Sequence, residues 1–344
     1  MLERLASLGG TLRLRSGQAA EGGCPRIYFF YRMKKSATLI LILLACATSP
    51  AQSAAPNQST NESLPTLKVD VKLVNVYVTV TNAQGGPVAG LKKENFTVQE
   101  DGRGQTISVF DKESAVPLSI ALAIDTSLST RHDLPLEQAS AKRFARAIMR
   151  PVDALSVFGF SETVLQSTAY ISDLKRIDDG IDHIRLGAAT ALFDAVYLAS
   201  RSLDRRQGRK VLVLITDGGD TASKMDYKEA VRAAEEAEGI VYSIIVVPIE
   251  SSAGRETGGE HALIQLSEDT GGKYYYATSM SQLDDAFRQI SDELRTQYLL
   301  AYYPSQRTSN SQFRRIQVGV SGPAEASSYR VRHRAGYYTV KSDF

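Results

Sequence analysis

The sequence predicts an α/β protein, a doubly wound and mainly parallel sheet inserted between N- and C-terminal β segments that form a small β-sandwich. Three observations predict it. Residues 118–124 are apolar but for Ser119, and 211–215 are apolar without interruption, as strands covered on both faces are. Around them, strand-like and helical stretches alternate with short connections, the pattern of crossover units on a parallel sheet. Before and after this stretch the apolar residues alternate singly between Gly, Pro, Asn and Ser turns, as in antiparallel β structure.

The front of the chain reads as an address. Met33-Lys34-Lys35 precedes an apolar run over 37–45 that is shorter than the roughly 20 residues a bilayer needs, which is the pattern of a cleavable export signal. Such signals begin chains, so Met33 is the expected start, with a long basic lead from residue 1 as the alternative. Leu43-Leu44-Ala45-Cys46 resembles a bacterial lipobox, which would make Cys46 a lipidated membrane anchor; a soluble product cut near Ala51 to Ala55 competes with it. Both readings take the protein out of the cytoplasm, to periplasm, envelope or medium. Residues 1–46 are thus a leader, and 47–66, rich in Ser, Ala, Pro, Asn and Thr, a disordered tether.

The 344 residues carry 40 Lys+Arg against 38 Asp+Glu, two Cys and no Trp. Seven basic residues, two acidic ones and both cysteines lie in the leader, so 40 less seven and 38 less two leave a body of net charge −3 without cysteine. This gives no reason to expect nucleic acid as a partner, and it excludes disulfide and thiol chemistry in the body.

The first β segment spans 67–115. Leu67, Val69, Val71 and Leu73 share one face, Val74, Val76, Val78 and Val80 follow after a phase slip, and strands at 95–100 and 106–110 flank the hairpin signal Asp101-Gly102. The α/β domain spans 116–297. It has strands at 118–124, 155–160, 211–215, 240–247 and 273–276, and helices at 134–149, 174–184, 191–203, 227–238, 262–268 and 282–296. The second β segment, 298–344, has strands at 298–303, 313–320, 329–333 and 337–340. Either segment alone would leave open edges, and pairing the two removes them.

Ligands bind outside the carboxyl ends of the strands in a doubly wound sheet. Three features fall there: Asp125-Thr126-Ser127-Leu128-Ser129 after the first buried strand, Thr190 before a helix, and Asp217 after residues 211–216. Two carboxylates and three hydroxyls form an all-oxygen set of low charge, suited to a hard cation such as Mg²⁺ or Mn²⁺ that keeps some water. Neutral hydroxyl ligands would leave the metal electron-poor and receptive to an outside carboxylate. Asp133 stands eight residues after Asp125, at a helix N-cap position before Leu134. Asp194 reads as a helix-surface residue, Asp220 as a loop or cap residue, and Asp153, Asp178, Asp179 and Asp182 as solvated charge. Residues 251–259, rich in Ser and Gly, are the expected mobile loop beside the site. The chain has no nucleophile elbow, phosphate loop or dinucleotide motif, and its four histidines are not at zinc-ligand spacing.

Asp-x-Ser-x-Ser after the first strand, Thr190 and the Asp of Thr-Asp-Gly together resemble the metal-ion-dependent adhesion site of von Willebrand factor type A (VWFA) domains, over roughly 116–295. The flanks, Val88-Ala89-Gly90-Leu91, Asn95-Phe96, Glu100-Asp101-Gly102, 294–304 and Gly336-Tyr337-Tyr338, are similar to VWFA-related proteins abundant in Acidobacteria. The resemblance implies that Asp125, Ser127, Ser129, Thr190 and Asp217 coordinate the cation, some through water. It also implies that an Asp or Glu carboxylate of a protein partner completes the sphere, in an adhesion module that is not an enzyme. By analogy with integrins, binding would shift nearby loops and the helix at 282–296, and Asp133, if not a helix cap, would support a second, adjacent cation. Two positions depart from the pattern: Leu128 stands where many such domains have Gly, and Ala188-Ala189 replaces Gly-Gly. Two other readings remain. A haloacid-dehalogenase-like phosphatase would use Asp125 as nucleophile, but it wants a second acid where Ser127 stands. A metal-independent structural or assembly component of the envelope would use none of the five.

Overall fold

A computed structural model describes residues 73–112, 116–130, 133–247, 257–306 and 312–339. The leader, the tether and the strand expected over 67–72 lie outside the described residues. Val74, Val76, Val78 and Val80 put one fully apolar face on β1 (Val74–Thr81). β2 (Phe96–Glu100) alternates buried and exposed residues and turns through Asp101 and Gly102 into β3 (Arg103–Gln105), before β4 (Ile107–Lys112). Both turn residues have positive φ, +48° and +77°, as a tight two-residue hairpin requires.

The α/β part follows with β5 (Leu118–Asp125), α1 (Leu134–Ile148), β6 (Ala154–Phe160), β7 (Val164–Ile171), α2 (Leu174–Asp182) and α3 (Leu192–Asp204). It continues through β8 (Arg209–Thr216), α4 (Tyr227–Glu236), β9 (Ile240–Val246), α5 (Thr257–Asp269), β10 (Lys273–Ala277) and α6 (Met280–Thr296). Its six strands lie in the order β10-β9-β8-β5-β6-β7, parallel except for β7. The strand period splits each central strand between two cores. Ile120, Leu122 and Ile124 of β5 face α1, α2 and α6, while Ala121 and Ala123 face α3, α4 and α5.

The chain closes with β11 (Tyr298–Tyr302), β12 (Phe313–Val320), β13 (Arg330–Arg332) and β14 (Gly336–Tyr338). The terminal segments interleave in two antiparallel sheets, β13-β1-β11-β4 and β14-β12-β2-β3, whose apolar faces share one core. Buried polar groups tie these sheets together and to the α/β part. Glu100 accepts from Arg314, from the Tyr302 hydroxyl at 2.7 Å and from the Tyr337 hydroxyl at 2.9 Å. Glu293 on α6 pairs with Arg332 on β13 at 2.6 Å.

Two expectations need correction. β7 was not expected as a strand. Asp153 is not solvated: it is 2% exposed, pairs with Arg150 at 2.9 Å and accepts the Leu118 backbone N–H at 2.8 Å.

Candidate metal centre

The chain runs from β5 to β6 on one side and returns to β8 on the other, so the carboxyl ends of β5 and β8 open the crevice of the switch point. Asp125 ends β5 there, and Asp217 directly follows β8. Asp125 is fully buried. Its Oδ1 accepts the Ser127 backbone N–H at 2.9 Å, its Oδ2 accepts the Thr216 hydroxyl at 2.7 Å, and the Ser127 side chain also bonds to it. Burial pushes its carboxyl up to about 6 against the pull of these bonds, and the charge of Asp217 adds to the rise.

Ser127 is 2% exposed, and Thr130 closes the turn by donating to the Ser127 and Asp125 carbonyls at 3.0 and 3.2 Å. Leu128 points outward at 55% exposure, so its bulk meets no crowding where Gly is common. Ser129 lies in this one-turn helix (Leu128–Thr130), and its side chain is outside the described residues.

Three loops form the mouth of the crevice and are bonded to one another. The Gly187 N–H donates to the Thr126 carbonyl at 2.8 Å, which ties the Thr190 turn to the Asp125 loop. Thr190 itself is gripped by the segment after Asp217: its N–H donates to Thr221 Oγ1 at 3.0 Å, and its carbonyl accepts from the Thr221 and Ala222 N–H groups. Asp220 caps α3 from across the crevice, accepting the Leu192 N–H at 2.8 Å, in agreement with its expected role. Asp194 does more than face solvent. It accepts the Lys224 and Met225 N–H groups at 2.9 and 2.8 Å, so the two loops are tied in both directions.

Glu162 answers the second departure from the pattern. Its Oε2 accepts the Ala188 N–H at 2.7 Å and the Ala189 N–H at 3.4 Å, and bonds from its own and these backbone N–H groups hold its carboxyl below the usual range. A Cβ on Gly187 would come within 2.2 Å of Ser161 Oγ, so this residue is small for lack of room. Residues 251–256 lie outside the described residues, while Gly258 and Gly259 belong to α5. A Cβ on Gly259 would sit 1.6 Å from the Gly218 carbonyl, so α5 abuts the residue after Asp217.

The structure thus brings Asp125, Ser127, Thr190 and Asp217 to the rim of one crevice. Asp133 occupies the N-cap position of α1 without a side-chain cap bond. Among the described residues no Lys or Arg pairs with Asp125 or Asp217. Nor, among them, do three or more His, Cys, Asp or Glu side chains converge as direct metal ligands. The donors at hand are hydroxyl and carboxylate oxygens, largely shielded from water at the carboxyl ends of β5 and β8, a set that fits a hard divalent cation.

Sequence reasoning missed one acid here. Glu137 of α1 is 1% exposed, neither of its carboxylate oxygens has a hydrogen-bond partner, and burial with the charges of Asp125, Asp133 and Asp217 pushes it up to about 8. A readable signal existed: the buried positions of α1 are Leu134, Glu137, Ser140, Ala141, Phe144, Ala145 and Ile148, so an acid stands on the apolar stripe.

Residues 119–289 match the family model of the von Willebrand factor type A domain. Among solved structures the chain is similar to the conserved hypothetical protein BatB from Bacteroides thetaiotaomicron, at 18% identity and TM-score 0.43, over 52% of this chain and 100% of that one. It is similar to the PilB minor pilin from Streptococcus sanguinis, at 13% identity and TM-score 0.42, over 53% of this chain and 62% of that one. It is also similar to the pilus adhesin SpaC from Lactobacillus rhamnosus GG, at 11% identity and TM-score 0.44, over 73% of this chain and 42% of that one. These are likenesses of fold alone. No curated protein matches the chain.

Proposed function

Because residues 119–289 match the family model of the von Willebrand factor type A domain, we propose that this chain is an exported protein-binding module that engages its partner through a divalent cation. Asp125, Ser127, Ser129, Thr190 and Asp217 hold Mg²⁺ or Mn²⁺, some of them through water. When bound, the cation supplies a Lewis-acidic position that takes up an anionic oxygen, here an Asp or Glu carboxylate of the partner. Asp125 and Asp217 contribute the charge, and Thr216 and the Ser127 N–H fix the Asp125 carboxylate in orientation.

The observation that carries this reading is Asp125 itself, a fully buried carboxylate at the switch point with hydroxyl and amide donors but no cationic partner among the described residues. Such a group is costly unless a cation or a proton balances it. The same burial disfavours the phosphatase reading, because both oxygens of the would-be nucleophile are already hydrogen-bonded.

Export rests on the signal-like segment at 33–46, with Cys46 either a lipid anchor or removed. Among the described residues no helix is long and apolar enough to cross a membrane. The parts at 67–115, 116–297 and 298–344 and the flanking resemblance to the proteins abundant in Acidobacteria belong to the same proposal.

Calorimetric titration of Mg²⁺ into wild type and Asp125→Ala tests it: binding by wild type alone is expected, and no uptake of Mg²⁺ or Mn²⁺ by wild type sinks it. A pull-down from envelope extract with and without EDTA then tests the partner, which should be lost on chelation.

A further inference from the structure

Glu137 has no place in the five-residue set, yet it stands in the first turn of the helix that follows the Asp125 loop. There it lies on the stripe that packs against the sheet, while its neighbour Leu136 is 48% exposed. Its carboxylate is shut off from solvent and meets no donor, and the charges that act on it are the carboxylates of Asp125, Asp133 and Asp217. Among the described residues no Lys or Arg pairs with it.

A fold that buries a carboxylate without a partner leaves it to be balanced by something outside the chain. A proton could balance Glu137 alone. One divalent cation in the crevice offsets two of the three negative charges of Glu137, Asp125 and Asp217 at once. Direct coordination by all three is not available, since among the described residues no three acidic, imidazole or thiolate groups converge as ligands. The remaining route is through water.

We propose that Glu137 is an outer-shell residue of the metal site, accepting a hydrogen bond from water held by the cation on Asp125 and Asp217. The inference rests on the metal reading above. It raises the carboxylates around the cation from two to three, so the site retains its metal without a partner's carboxylate. It also links occupancy to α1, since the water bridge holds the first turn of that helix to the carboxyl end of the sheet. Glu137 is a positioning residue in this scheme, not a ligand.

The test is calorimetric titration of Mg²⁺ into wild type and Glu137→Gln, with thermal melts of both in EDTA and in Mg²⁺. The expected result is Mg²⁺ binding weakened roughly tenfold in E137Q, as outer-shell substitutions commonly do. Melts in EDTA should agree within about 2 °C, and the rise in Tm on adding Mg²⁺ should shrink. Glu137→Met, which fills similar space without a hydrogen-bonding group, should show the same loss of affinity.

Unchanged Mg²⁺ affinity in either variant overturns the proposal and leaves the five-residue site standing. A wild type that takes up neither Mg²⁺ nor Mn²⁺ sinks the five-residue site, and the role of Glu137 with it. A marked fall in Tm in EDTA for E137Q makes Glu137 a prop of the metal-free fold and likewise overturns its assignment to the metal.

Discussion

Glu100, Glu293 and Asp153 are buried to nearly the same degree as Asp125 and Glu137, with exposures of 3, 5 and 2% against 0 and 1%. The first three each face an arginine, Arg314, Arg332 and Arg150. Among the described residues the last two face none. Glu100 and Glu293 sit in the terminal sheets and the seam joining them to α6, and Asp153 lies at the amino end of β6, away from the crevice. Burial alone therefore does not separate a structural acid from one held for a ligand; the missing counter-charge does. An acid balanced within the chain works in every state of the protein, whereas one left unbalanced marks where something from outside must arrive.

The largest way to break this contrast is to unpair a structural acid. Arg314→Met leaves Glu100 buried with two tyrosine hydroxyls and no cation, and it should lower unfolding free energy by about 3–5 kcal/mol in urea denaturation. A loss below about 1 kcal/mol would show that the paired acids are no more dependent on their partners than Glu137.

A smaller and pH-dependent effect comes from Glu235 on α4, which is half-buried. Burial first, then the charges of Asp269 and Glu236, push it up to about 7. Because its folded-state value lies above the ordinary one, its favourable contribution is complete below about pH 4.5 and is lost as pH rises through about 7. Glu235→Gln does not titrate, so from pH 5 to pH 8 it should gain on wild type by on the order of 1 kcal/mol, after discounting for partial exposure. A difference constant with pH would remove Glu235 from the unbalanced class.

The smallest effect sharpens the comparison at the rim. Glu162→Ala frees the Ala188 and Ala189 N–H groups and loosens the turn before Thr190. Mg²⁺ affinity should fall by less than the roughly tenfold expected of an outer-shell partner, with Tm in EDTA unchanged. A loss larger than that of E137Q would place the rim, not the buried acid, in control of the metal.

Much of the fold was legible because burial on both faces leaves a plain trace. β5 and β8 read directly from nearly continuous apolar runs, and the pairing of the terminal segments followed from the need to close edges. β7 escaped because it is an edge strand: Leu165, Gln166 and Ser167 are exposed, and irregular pairing with β6 breaks the alternation. Asp153 looked like surface charge because nothing local announces a partner that includes the Leu118 amide, 35 residues earlier. At the crevice, Asp125 and Asp217 were placed by their strand ends and Thr190 by the helix it precedes. The cross-loop bonds of Asp194 and Asp220 to segments 28 to 31 residues away could not be read from spacing. Glu137 was hidden by its neighbours, since Leu-Pro-Leu-Glu-Gln reads as an ordinary first turn until the helical phase is fixed.

The interleaving of the terminal segments also bears on how the chain matures. β1 and β4 pair with β11, and Glu100 meets the Tyr302 hydroxyl 202 residues later. During synthesis the first strands therefore emerge long before their partners exist. Contacts of such sequence separation form slowly, and unpaired strands are exposed to wrong pairings while they wait. The central sheet, whose neighbours lie nearer in sequence, can assemble first and bring the two segments together. The sandwich then closes last, as a clasp fastened when the final strands arrive.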